Sequence, residues 1–306
     1  MRAWRLMGLA VAGLILGGCG PAGGAGMASD GKPMVVATTT MIADLARQIG
    51  GEDVTVVSIM KTGEDPHLYD ARPRDAEHIA QADLVLMNGL HLEATLLGII
   101  ENNAKRVAKL AESPGVKRLD SQKPGAGVAA PDPHAWMSVP NFQGYAAGAR
   151  DALIAMDPAH ADGYRRRAEA YLRELEALDA WVREQVATVP RERRVIVTSH
   201  DAFNYYAQAY DVEVHAVIGI STEQQPRPQD IEALERLVNE RGIKALFIET
   251  SVSNTLNEMV RKIAAATGAK IGGSLYSDSL GDEGTDAGTY IGMMRHNTGT
   301  MMGALK

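Results

Sequence analysis

The sequence predicts an α/β protein of two lobes, each with a mainly parallel sheet flanked by helices, joined by one long, rigid backbone helix. Three observations predict it. Short β-branched runs alternate with segments of helical apolar spacing over residues 34–110, and the same alternation resumes over 195–271. Between them, residues 164–189 hold neither glycine nor proline and are rich in Ala, Arg, Glu and Leu.

The first two β-branched runs, 34–38 and 54–60, flank a helical pattern from Met41 to Ile49, which reads as a β-α-β unit and therefore as parallel strands. A short helix follows at 74–81, then a buried strand at 83–87 ending in Asn88-Gly89, a helix at 92–102 and a strand at 107–110. These assign residues 34–150 to a first lobe. Asp157-Pro158 reads as a helix start, with Asp as cap and Pro in the first turn. The linking helix is placed over 151–189, with Tyr171, Leu172, Leu175, Leu178 and Trp181 on apolar-face spacings. A helix of some 30 residues is about 45 Å long, the length of a strut between two lobes. A coiled-coil dimerisation helix competes with that reading, but its heptads are few and the chain is expected to be a monomer. Residues 190–306 form the second lobe, with strands at 195–199, 212–218 and 245–248 and from Ile271 onward. Its helices fall at 202–210, 229–241, 256–267 (closed by Gly268) and 290–305.

At the N-terminus, Arg2 and Arg5 precede an apolar run, Leu6 to Leu16, too short to span a bilayer, so residues 1–18 read as an export signal. Leu16-Gly17-Gly18-Cys19 resembles the lipobox at which bacterial lipoproteins are cleaved and diacylated, which makes Cys19 the lipidation site. The alternative is an ordinary secretory peptide whose single cysteine is incidental. Residues 19–33 are mostly Gly, Ala, Ser and Pro, a flexible tether with a mean reach of roughly 20 Å. The protein is thus expected in a periplasm or on an outer cell surface, held to the membrane through Cys19. A net charge of −7 and the lack of any long basic run argue against nucleic acid as a partner.

Four segments place a metal-ligating side chain in a loop after or between strands, where α/β sheets build their sites. They are Asp65-Pro66-His67, Asp132-Pro133-His134, Ser199-His200-Asp201 and Ser277-Asp278-Ser279. The duplicated Asp-Pro-His is the informative feature, because proline stiffens each loop that presents an imidazole. His67, His134, His200 and Asp278 make a set of three imidazoles and one carboxylate that suits zinc, with manganese also accommodated. Glu249, ending the strand 245–248, is the candidate for balancing charge behind the ligands, and His91, following the strand 83–87, is a second candidate for lining the cavity. The Trp136 and Tyr69 rings are expected to pack and hold the loops, and His78, His160, His215 and His296 to be solvated.

In order along the chain, GEDPHLYDARPRD, ADLVLMNGLHLE, DPHAWMSV, VTSHDAFNYYAQAY, LFIETSV, SLYSDSLG and GTYIGMMRHN resemble the zinc and manganese solute-binding lipoproteins of bacterial ABC importers, the TroA-like family. The resemblance covers essentially the whole mature chain. It implies metal held between two lobes by His67 and His134 from one and His200 and Asp278 from the other, and an importer permease as partner. It implies no catalytic activity. Two departures bear on the ion. Zinc-dedicated members carry a His- and acid-rich loop where residues 113–130 contain no histidine, and manganese-dedicated members carry Glu where this chain has His200. A lipoprotein adhesin or scaffold with a structural metal is the alternative, followed by a secreted metallohydrolase, although no His-Glu-x-x-His is present. A binder of metal chelates fits poorly with 5% aromatic residues.

Overall fold

The computed structural model describes Met1 and residues 31–120 and 131–306. The export signal beyond Met1, Cys19, most of the tether and residues 121–130 of the histidine-free stretch lie outside the described residues. The chain from Pro33 to Lys306 forms one compact unit.

Its first half is a doubly wound sheet. Strands β1 (Met34–Ala37), β2 (Thr55–Ser58), β3 (Leu84–Met87) and β4 (Val107–Lys109) are all parallel in the order β2-β1-β3-β4. Helices α1 (Thr40–Gly50), α2 (Pro73–Gln81) and α3 (Ala94–Asn103) make the crossovers. The central strands carry continuous apolar residues because both faces are covered: Val35, Val36, Val85 and Leu86 are fully buried.

The second half uses two parallel pairs. Strand β5 (Val195–Thr198) pairs with β6 (Glu213–Ala216), and β7 (Ala245–Glu249) with β8 (Lys270–Leu275). Helices α6 (Asn204–Tyr210), α7 (Pro228–Arg241), α8 (Asn254–Thr267) and α9 (Tyr290–Leu305) surround them. A register shift between Leu246 and Phe247 falls opposite Gly272-Gly273, and a Cβ on Gly272 would lie 2.7 Å from the Phe247 ring. Glycine here lets β8 bulge against that ring.

Helix α5 (Ala161–Ala187) is the long helix, 27 residues or about 40 Å. It starts after a tight turn at Pro158–His160. Its buried stripe is Tyr164, Ala168, Tyr171, Leu175, Leu178, Val182 and Val186, in steps of three or four. That stripe belongs to one apolar core which also takes in Leu45, Phe142, Tyr206, Phe247 and Met301, so it is spent inside the chain and not left for a coiled-coil partner. Trp181 lies at the edge of this core and carries the Arg295 guanidinium 4.8 Å above its ring.

One helix is not anticipated by the sequence pattern: α4, Val139–Met156. Ser138 caps it by accepting from the Asn141 N–H, and Pro140 occupies its first turn. Residues 151–156, counted with the linking helix on sequence grounds, are the last turns of α4.

Arg167 on α5 donates to the carbonyls of Ile49 and Gly50 at 2.7 and 2.8 Å and pairs with Asp53 at 2.6 Å, closing the C-terminal end of α1. Replacing it by methionine keeps the apolar stem and removes these bonds. Because the pair is about a third exposed, the expected loss is about 1–2 kcal/mol, read as a lower urea midpoint at unchanged slope.

Candidate metal centre

The repeated Asp-Pro-His builds the same turn twice. Asp65 Oδ1 accepts the His67 N–H at 2.9 Å, and Asp132 Oδ1 accepts the His134 N–H at 3.0 Å. The two copies then diverge. Asp132 also receives the His134 ring Nδ1 at 2.8 Å, while Asn204 and Tyr205 on α6 grip its other oxygen and its carbonyl at 3.0 and 2.7 Å. Asp65 makes no such bond to the His67 ring, and its Oδ2 is buried with no hydrogen-bond partner among the described residues.

His200 is set by Glu249, the last residue of β7. One carboxylate oxygen accepts the N–H groups of Ser199 and His200 at 2.7 and 2.9 Å, and the other lies 2.6 Å from His200 Nδ1 as an ion-pair contact. With their Nδ1 atoms facing carboxylates, His134 and His200 both turn Nε2 inward. Asp278 follows β8 on a segment tied across the molecule. Trp136 Nε1 donates to the Ser277 carbonyl at 3.0 Å, Ser251 Oγ accepts the Asp278 N–H at 3.2 Å, and the Gly63 N–H donates to Ser279 Oγ at 2.8 Å. The Leu280 N–H reaches Thr40 Oγ1 at 2.8 Å.

The four side chains converge, with one donor atom from each within 4.8 Å of the others. His134 Nε2 lies 3.2 Å from His67 Nε2, 3.4 Å from His200 Nε2 and 3.5 Å from Asp278 Oδ1, and His200 Nε2 lies 3.2 Å from Asp278 Oδ2. Bonds of about 2.0–2.1 Å to a tetrahedral ion give ligand-to-ligand edges of about 3.3–3.4 Å, which the four contacts around His134 and His200 match, within a group whose donors all lie inside 4.8 Å.

Electrostatics agree with that use. Burial pushes the His67 imidazole down to about 3, overriding the attraction of Asp278, so it is a neutral donor. Burial alone would raise the Asp278 carboxyl, but His200 and the other imidazoles hold it well below the ordinary carboxylate range. Burial also disfavours a charged His200, yet Glu249 and Asp278 outweigh it and raise this imidazole well above its ordinary 6.5. Asp65 is pushed up to about 6, by burial first and by the Asp278 charge second. Both Asp278 oxygens are buried with no hydrogen-bond partner among the described residues. A buried, ionised and unsatisfied carboxylate is costly unless a cation meets it.

His67, His134, His200 and Asp278 are thus brought together, and Glu249 stands directly behind His200. His91 is not: it is exposed in a turn with left-handed backbone (φ 64°) and lies outside the cluster, because the turn after β3 carries it to a separate surface depression with Glu112 and Arg118. Trp136 packs edge-on against His134 at 5.2 Å, and Tyr69 donates to Asp75, both in holding roles. Asp132 is the residue that sequence reasoning missed as an orienting group, although the repeated Asp before Pro-His carried the signal.

A family model described as ZnuA, zinc-uptake complex component A, periplasmic, matches residues 35–304, and the chain belongs to this family. It is 38% identical over 309 residues to the manganese-binding lipoprotein MntA of Bacillus subtilis (strain 168), covering 100% of each. It is also 38% identical over 283 residues to the zinc-binding protein TroA of Treponema pallidum (strain Nichols), covering 91% of this chain and 90% of TroA. The fold superposes on the solved periplasmic zinc binding protein TroA from Treponema pallidum with a TM-score of 0.84 at 37% identity, over 90% of this chain and 99% of that one.

Proposed function

We propose that this chain captures a divalent transition metal outside the cytoplasm, zinc or manganese with zinc favoured, and delivers it to the permease of an ABC importer. The observation that carries the reading is the convergence of a buried, ionised Asp278 carboxylate with three imidazoles, with donor atoms all within 4.8 Å of one another and no hydrogen bond to either Asp278 oxygen among the described residues. The ion is the cargo, bound by His67, His134, His200 and Asp278. Residues 34–150 and 190–306 act as two lobes joined through α5 (Ala161–Ala187). The signal spans 1–18, and a diacylated Cys19 with the 19–33 tether keeps a monomeric body near the membrane.

Four protein donors converging on one point would fill a tetrahedral shell and leave no position for a reacting water, which disfavours a metallohydrolase. The core assembles from Val35, Leu45, Leu175 and Phe247 without help from the ligands, which disfavours a metal that merely holds a scaffold together. Isothermal titration with zinc and with manganese tests the reading, and protein that binds neither overturns it.

Asp132 and Glu249 orient rings without ligating. Asp132→Asn and Glu249→Gln are each expected to weaken zinc binding by about 10- to 100-fold while the bound stoichiometry stays at one. A ligand set that needed no orientation would keep its affinity in both variants.

A further inference from the structure

The NGLHLE motif, 88–93, stands out in the sequence yet supplies no ligand to the cluster. It is strained: Gly89, Leu90 and His91 run consecutively at φ 85°, 53° and 64°, and the last two are not glycine. The turn is held by Glu93, a buried carboxylate that accepts the N–H groups of Asn88 and Gly89 at 2.6 and 3.1 Å and the Thr38 hydroxyl at 2.7 Å. Thr38 and Asn88 are the residues that directly follow β1 and β3, the two central strands, so the turn is braced on the stiffest part of the sheet.

What the brace presents is the Asn88 side chain, 1% exposed. Its amide donates to the Pro133 carbonyl at 3.0 Å and to the Gly89 carbonyl at 3.1 Å, and its Oδ1 accepts from the Tyr145 hydroxyl at 2.6 Å. Pro133 is the residue directly before His134, whose ring lies in contact range of the three other donors. The strained turn therefore bears on the peptide that aims the central imidazole.

We infer that Asn88, locked by Glu93 and Tyr145, is a positioning residue that sets the placement of His134 and thereby the affinity of the cluster for its ion. The inference rests on the metal-capture reading above. It separates two jobs at His134: Asp132 rotates the ring, and Asn88 fixes the backbone from which the ring projects. A left-handed turn of three residues is kept because it is the geometry that lets two backbone N–H groups and a strand-end hydroxyl converge on one carboxylate while the Asn88 amide points the other way.

The test compares full-length wild type, Asn88→Ala and Tyr145→Phe, each titrated with zinc and each loaded with cobalt(II), whose visible bands report coordination geometry. Asn88→Ala is expected to weaken zinc binding by about 10- to 100-fold and to shift the cobalt bands, and Tyr145→Phe to move both in the same direction by less. A purely structural cap would lower the thermal midpoint of the metal-free protein and leave the cobalt spectrum and zinc affinity alone. If Asn88→Ala does not fold, Tyr145→Phe decides alone, and a wild-type affinity and spectrum there overturn the inference. Wild type that binds while both variants match it overturns this inference only. Wild type that binds neither ion overturns the proposed function and this inference with it.

Discussion

Asp278→Ala is expected to lose at least about 100-fold in zinc affinity, because it removes the one anionic donor and opens one vertex of the tetrahedron. Thermal unfolding gives a second readout. An ion that binds only the folded state adds about 4 kcal/mol of stability when free metal stands at a thousand times Kd, and a hundredfold weaker site retains about 1.4 kcal/mol at the same metal concentration. The zinc-dependent rise in Tm should therefore collapse in the variant. Wild type stripped by a chelator should stay cooperatively folded and reload, since its apolar core does not include the ligands. A full metal-dependent rise in the variant would remove Asp278 from the ligand set.

Binding should expel protons, and affinity should depend on pH chiefly through His200. In the metal-free protein this imidazole titrates well above 6.5, after Glu249 and Asp278 outweigh the burial that opposes its charge, so at pH 7 it carries a proton that the ion must displace. His67, held at about 3 by burial, has none to give in that range. About one proton released per ion at pH 7 is expected from His200, with affinity falling about tenfold per pH unit below its metal-free pKa and more steeply once His67 begins to protonate. The stability of the metal-free protein has the opposite sign. A folded pKa raised above the unfolded 6.5 contributes stability that is fully present below 6.5 and lost as pH rises through the raised value. The gap in Tm between loaded and metal-free protein should thus widen with pH. Titration calorimetry in two buffers of different ionisation enthalpy counts the protons, and a heat independent of buffer at pH 7 would contradict this account.

Most strands and helices were legible because β-branched runs and apolar stripes each marked one type of element, even where, as for the long helix, the partner of the stripe was open. The cluster was legible for a related reason: an imidazole or carboxylate just past a strand lies at the end of the sheet where sites form. Helix α4 was not. Gly144 and Gly148 weaken its helical signal, yet a Cβ on them would lie 2.7 Å from Val116 and 2.1 Å from Ser113, so they serve close packing that no local pattern announces. His91 shows the converse. It follows a strand as the clustered side chains do, and only the left-handed turn carries it away. Asp65 and Asp132 occupy identical triplets, and what separates them is Asn204 and Tyr205, brought in from α6.

The exposure of the four donors is unequal: His134 and His200 are fully enclosed and Asp278 nearly so, while His67 retains 9% of its surface. On the proposed reading an acceptor would approach the ion from that edge, so His67 is expected to be the first bond to yield on unloading and, by the same path reversed, the last to form on loading. His67→Ala should then shorten residence time far more than it slows capture. On that reading His67 is the point at which an incoming donor would take over the ion one coordination bond at a time, with no bare intermediate between carrier and recipient.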